Sequence, residues 1–119
     1  MRTVLVVDDS PVVRHALGRR LADQGLDVRL EEGVAAARDI DPAELLCAVI
    51  DLELGDDDGA DLAAILLARR PSLPVAFFTA DAPPRQRVRA LACGPVFEKP
   101  DLDAVVAWVA LAAQPPPTK

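Results

Sequence analysis

Short, continuously apolar runs alternate along this chain with longer stretches whose apolar residues recur every three or four positions. That alternation predicts a parallel sheet whose strands are joined by crossover helices. After Thr3 the run TVLVV, residues 3–7, has no polar position, as expected of a central strand covered on both faces. Residues 26–31 differ: Leu26, Val28 and Leu30 alternate with Asp27, Arg29 and Glu31, the period of a half-buried edge strand. Residues 47–50, 74–78 and 95–98 supply three more strands.

Helix signals fill the gaps between these runs. Ser10 is a cap and Pro11 sits in the first turn, where its missing N–H costs nothing. Val13, Leu17 and Leu21 then form a buried stripe, and Gly25 ends the helix. A short Ala-rich helix is expected over about 33–40, limited by Pro42. Asp58 caps a third helix, with Asp61 near its positive end and Leu62, Ile65 and Leu66 inside. A fourth runs from about 84 to 93, and Asp101 opens the last. In that last helix Leu102, Val105, Val106, Trp108, Val109 and Leu111 are apolar on more than one face, which predicts either a crowded core or a partner surface. The PPPTK end reads as a frayed tail, so residues 1–114 form one domain and 115–119 a Pro-rich extension.

With 119 residues there is room for one core and no second folded unit. Apolar residues are 51% of the chain but aromatics only 3%, so Val, Leu, Ile and Ala must build the interior. A net charge of -6 argues against a nucleic-acid or anionic-membrane surface, both of which need clustered Lys and Arg. No stretch reaches the roughly 20 apolar residues that span a bilayer. Cys47 and Cys93 lack metal spacing, and no secretory signal precedes the first strand, so the expected setting is reduced and cytoplasmic, with Cys47 packed in the core.

The chemistry gathers at the strand ends. Asp8 with Asp9, Asp51, Thr79 and Lys99 lie just past, or at the end of, four separate apolar runs. In neighbouring parallel strands they would emerge at one sheet edge, where open α/β sheets place ligands. Clustered carboxylates resist ionising without a compensating charge, which a divalent cation with oxygen preference supplies. A carboxylate can attack phosphorus to form an acyl phosphate. Lys99 would offset charge on the phosphoryl oxygens and Thr79 could donate to one of them. The nucleophile is already an anion, so no general base is needed, and the lone His15 is assigned to the surface or a partner contact.

Taken in order, Asp8-Asp9-Ser10-Pro11, Asp51 with Gly59 eight residues on, Thr79-Ala80 and Lys99-Pro100 resemble the receiver domain of two-component response regulators, CheY-like proteins. The resemblance covers about residues 3–112 and implies a doubly wound, flavodoxin-like α/β fold: a five-stranded parallel sheet, order 2-1-3-4-5, flanked by five helices. It implies that Asp51 accepts a phosphoryl group from a histidine kinase or histidine phosphotransfer protein. Asp9 and Asp51, with the backbone carbonyl of Glu53, would ligate Mg²⁺ (or Mn²⁺) directly, and Asp8 through water. Thr79 would be the switch hydroxyl and Lys99 the phosphate-pairing cation, with a cis bond to Pro100. Arg14 and His15 are candidates to face the kinase.

The sequence also departs from that pattern. Val96 stands where the family usually has Tyr or Phe, and Phe97, one place off, should face the other side of the sheet. The 79–99 segment is about two residues short, and Gly55 replaces a common Pro. Glu53 and Asp81, each two residues beyond a site residue, are expected to tune phosphoryl lifetime. The reading is a stand-alone phosphoacceptor that catalyses only its own phosphorylation and dephosphorylation, and either binds a downstream protein target or relays the phosphate. Met1 directly before the first strand favours a complete chain. The alternative is a receiver-fold interaction module that works without phosphorylation. A phosphatase of the haloacid dehalogenase type wants an Asp two residues beyond its nucleophile, and neither Asp8 nor Asp9 has one. A homodimer through the last two helices stays open, given the apolar excess around Trp108.

Overall fold

A computed structural model describes residues 3–114; the predicted tail, residues 115–119, lies outside the described residues. Five parallel strands form one sheet: β1 (Thr3–Val7), β2 (Asp27–Glu31), β3 (Leu45–Ile50), β4 (Val75–Thr79) and β5 (Val96–Glu98), in the order β2-β1-β3-β4-β5. The helices are α1 (Pro11–Ala22), α2 (Val34–Ala37), α3 (Gly59–Arg69), α4 (Pro84–Leu91) and α5 (Leu102–Ala113). This is the architecture the alternation predicts. No described helix is long and apolar enough to cross a membrane.

Strand alternation divides the core into two layers. Val4, Val6, Cys47, Val49 and Phe78 meet α1 and α5, whereas Leu5, Val7, Ala48, Ile50, Val75 and Phe77 meet α2, α3 and α4. β1, β3 and β4 are buried on both faces, which is why their sequences show no polar alternation. Burial pushes the Cys47 thiol up to about 12, so it behaves as a small apolar side chain. The surplus of apolar residues on α5 is resolved mostly as core. Trp108 is half-buried against the α1 side of the sheet, and Leu111 alone among the large ones stays exposed.

Helix starts match the capping signals. Ser10, Asp58 and Asp101 each accept a backbone N–H of the helix they precede, from Val13, Ala60 and Ala104. Gly25 leaves α1 at φ 80, a left-handed turn that glycine enters without steric cost.

Two local expectations need correction. The helix expected over 33–40 shrinks to the four residues of α2. Gly33 supplies no side-chain cap, and the carbonyls beyond α2 are claimed from a distance: Arg69 donates to those of Arg38 and Ile40, and Arg70 to those of Pro42 and Leu45. The rest of the expected helix is thereby replaced by a turn and a single 3-10 turn, Pro42–Glu44, with satisfied carbonyls, and β3 starts two residues early, at Leu45. Residues 53–58, for which periodicity gives no signal, form a tight antiparallel hairpin, Glu53–Leu54 against Asp57–Asp58, turned by Gly55 at φ 64.

Candidate functional site

Parallel pairing brings the ends of β1, β3, β4 and β5 to the same edge. The ladder continues one residue past β1 and β3: Asp51 N donates to Val7 O at 2.8 Å and Asp8 N to Glu31 O at 3.1 Å. At the far side, Lys99 N donates to Thr79 O at 2.8 Å. The residues that the sequence singled out are therefore held by the sheet's own hydrogen bonds.

Their side chains converge. One oxygen from each of Asp8, Asp9 and Asp51 falls within a 4.8 Å cluster. Asp8 and Asp51 are buried and Asp9 is exposed. Lys99 Nζ lies 2.9 Å from Asp8 Oδ2 and 3.0 Å from Asp51 Oδ2, and so bridges the two buried acids. The other oxygen of each accepts a backbone N–H, Ser10 to Asp8 at 2.9 Å and Glu53 to Asp51 at 3.1 Å. Asp9 accepts from Gly55 N at 3.4 Å, which ties the β1 end to the hairpin.

Thr79 is fully buried and its Oγ1 has no hydrogen-bond partner. A buried hydroxyl left unpaired costs free energy, and its donor and acceptor capacity stays available at this edge. The Lys99-Pro100 bond is cis, as the resemblance implied.

Gly59, at the start of α3, sits directly against the end of β3. A Cβ there would lie 2.0 Å from the Asp51 carbonyl oxygen. Only glycine allows α3 to begin this close to Asp51.

Of the two residues expected to face a kinase, His15 is exposed, but Arg14 is half-buried and donates through Nη1 to the Asp8 carbonyl at 2.7 Å. Glu53 is exposed beside Asp51, and Asp81 is exposed at φ 53, a left-handed turn just after Thr79. Val96 and Phe97 face opposite layers, as alternation predicts: Val96 packs toward α3 and α4, Phe97 toward α1 and α5.

The site's electrostatics are unbalanced. Desolvation pushes the Asp8 carboxyl above the usual range and the nearby Asp51 charge adds to this, against the opposing Ser10 N–H and Lys99 bonds. For Lys99, burial disfavours the charge, but the bonds from Asp8 and Asp51 outweigh it and hold the ammonium above its ordinary range. Three carboxylates against one ammonium leave a negative excess that a hard divalent cation fits, since every donor is oxygen.

Asp8 makes the stability of the fold depend on pH. Its folded pKa is raised, so the folded state holds that proton more tightly than the unfolded state. The group's contribution to stability therefore falls as pH rises from 3.8 through the raised folded value. Asp8→Asn, which can still accept the Ser10 N–H, is expected to raise the melting temperature of metal-free protein at pH 7. That gain should vanish in acid; thermal melts across pH check it, and an equal gain at every pH would contradict it.

The sequence missed the polar ties around α4. Arg87 pairs with Glu98 and donates through Nε to the Ala82 carbonyl at 3.0 Å, while Arg89 pairs with Asp58 and Asp61. Partners 11 and about 30 residues apart leave no local signature.

Residues 4–104 match the family described as response regulator receiver domain. The chain is 34% identical over 93 residues to the response regulator protein PilR of Pseudomonas aeruginosa, covering 76% of this chain and 20% of PilR. It is 33% identical over 96 residues to the probable transcriptional regulatory protein TcrX of Mycobacterium tuberculosis, covering 77% of this chain and 40% of TcrX. The chain thus spans less than half the length of these relatives. Among solved structures it resembles the non-phosphorylated HemR receiver domain from Leptospira biflexa, with TM-score 0.83, 24% identity and full coverage of both chains. It also resembles a response regulator from Burkholderia pseudomallei solved with a phosphorylated aspartic acid and a calcium ion, with TM-score 0.79, 29% identity, and coverage of 90% of this chain and 65% of that one.

Proposed function

The chain belongs to the response regulator receiver domain family, and on that premise we propose that it is a phosphoacceptor switch that takes a phosphoryl group onto Asp51. One observation carries the reading: a buried carboxylate bonded to a half-buried ammonium, on the same sheet edge as an unpartnered buried hydroxyl. The phosphorylated aspartate of the Burkholderia relative supports it.

In the transfer, an Asp51 carboxylate oxygen forms a bond to phosphorus as the donor's bond to phosphorus breaks. The electron pair leaves with the donor, a phosphohistidine of a histidine kinase or phosphotransfer protein. Lys99 then turns from its carboxylate pair to the new phosphoryl oxygens, and Thr79 Oγ1 donates to one of them. Asp8, Asp9, Asp51 and the Glu53 backbone carbonyl would hold Mg²⁺ (or Mn²⁺), which supplies charge neutralisation on the phosphoryl oxygens when bound. Glu53 and Asp81, exposed at the rim, tune how readily water reaches the acyl phosphate.

The charged state then shifts a conformational equilibrium toward a form that binds a downstream protein or passes the phosphate on. Val88 and Leu91 of α4 and Leu111 of α5 are exposed and supply apolar surface for a partner or a second copy.

Intact-mass measurement after incubation with a small acyl-phosphate donor tests the reading. One phosphoryl group is expected with Mg²⁺ and none after chelation, with the modified peptide containing residue 51. Wild-type protein unmodified across donor concentrations would overturn it.

A further inference from the structure

We propose that Arg87 is the positioning residue that carries the state of the site to α4; this rests on the phosphoacceptor reading of Asp51. Val96 is an aliphatic side chain without a polar tip, half-buried against the α3–α4 layer, and has no group that can report on Thr79. Arg87 has the reach that Val96 lacks.

Its guanidinium touches two segments at once. Nε donates to the Ala82 carbonyl, three residues beyond Thr79, in the turn that Asp81 takes at φ 53. The two terminal nitrogens engage both carboxylate oxygens of Glu98, one at 3.0 Å. Glu98 is the cross-strand neighbour of Thr79 in the β4–β5 register and directly precedes Lys99. One side chain on α4 therefore reads the loop after the switch hydroxyl and the strand end that positions the site's cation.

Little else anchors that helix. Ala90 is the buried residue of α4, while Val88 and Leu91 are exposed. Apart from Arg87, its side-chain ties are Arg89 to Asp58 and Asp61 and a long Gln86 bond to the Leu52 carbonyl at 3.5 Å. An element held by a few polar ties over a small apolar contact is the kind that moves at low energetic cost. As a partly exposed ion pair, Arg87–Glu98 adds little to global stability, so its role is geometric. When Thr79 donates to a phosphoryl oxygen, the 80–82 turn follows, the Ala82 carbonyl leaves Nε, and α4 re-seats on Glu98 alone. A planar fork can serve a carbonyl and a carboxylate together; an ammonium is a point charge and holds them less well.

The test uses hydrogen exchange of α4 amides, with and without acyl phosphate and Mg²⁺, alongside intact mass. In wild type, phosphorylation should change α4 exchange about fivefold or more, the lower end of ordinary allosteric coupling. Arg87→Ala and Glu98→Gln should accept the phosphoryl group as wild type does, while the α4 response disappears. Arg87→Lys should keep part of it. The charge swap Arg87→Glu with Glu98→Arg restores the ion pair but leaves the Ala82 carbonyl without its donor, so the response should stay lost. A phosphorylated Arg87→Ala protein whose α4 responds normally, or a swap that restores the response, overturns the relay and leaves the phosphoacceptor reading intact. Wild type that takes up no phosphoryl group overturns both.

Discussion

Asp51→Asn should take up no phosphoryl group under conditions that modify wild type completely. The substitution is nearly isosteric and its carbonyl oxygen can still accept the Glu53 N–H that now holds Asp51 Oδ1. What it removes is the anionic oxygen, and a neutral amide is a poor nucleophile toward phosphorus. It also removes one of the three carboxylates of the cluster, so Mg²⁺ binding should weaken. Stability should not suffer. Lys99 keeps its 2.9 Å bond to Asp8, and Asp8 loses the neighbouring charge that helps raise its pKa. A metal-free melting temperature equal to or above wild type would separate lost chemistry from lost fold. Stoichiometric modification of the Asn variant would place the acceptor elsewhere. If partner affinity were also unchanged in Asp51→Asn, the interaction-module alternative would replace the switch.

Gly59→Ala should be among the most damaging small substitutions in the molecule, and the one that bears directly on Asp51. The added Cβ would meet the Asp51 carbonyl oxygen at 2.0 Å and its carbon at 2.9 Å. Both are backbone atoms held by the sheet one residue past β3, so no side chain can swing aside. Gly59 N also donates to the Leu52 carbonyl at 2.8 Å, a bond that retreat of the helix would stretch. Forcing one methyl into a close-packed contact typically costs about 1–3 kcal/mol. For a domain of this size that lowers the melting temperature by roughly 5–15 °C. Because the displaced carbonyl belongs to Asp51, phosphoryl uptake should slow as well, beyond what the unfolded fraction explains. Gly33→Ala is the control: φ there is -167 and nothing lies within 4 Å of the added carbon. Thermal melts and uptake rates on both variants decide it; a Gly59→Ala protein as stable as the control would show that the contact is not tight.

Several elements were legible because their signals are local. Ser10, Asp58 and Asp101 announce helix starts within three residues of the N–H groups they cap. The apolar runs of β1, β3 and β4 and the alternation of β2 report directly how many faces each strand buries. The opposite facing of Val96 and Phe97 follows from the two-residue period of any strand. The brevity of α2 was not legible, because Arg69 and Arg70, about 30 residues away, donate to the carbonyls of Arg38, Ile40, Pro42 and Leu45 and so satisfy this stretch without a helix. Nor was the hairpin at 53–58, whose two-residue strands are shorter than any periodicity can reveal.

The amino-acid order alone determined which residues stand at the strand ends, since hydrophobic runs must end where polar side chains begin, and with that the identity of Asp8, Asp9, Asp51, Thr79 and Lys99. It left undecided how those groups share charge. Tertiary packing made Asp8 and Asp51 buried and Asp9 exposed, placed one ammonium between the two buried acids, and isolated the Thr79 hydroxyl. It also turned Arg14 inward and joined Arg87 to Glu98. The reason is physical: periodicity and capping act over a few residues, whereas desolvation and ion pairing depend on which distant segments close over a group and exclude water from it.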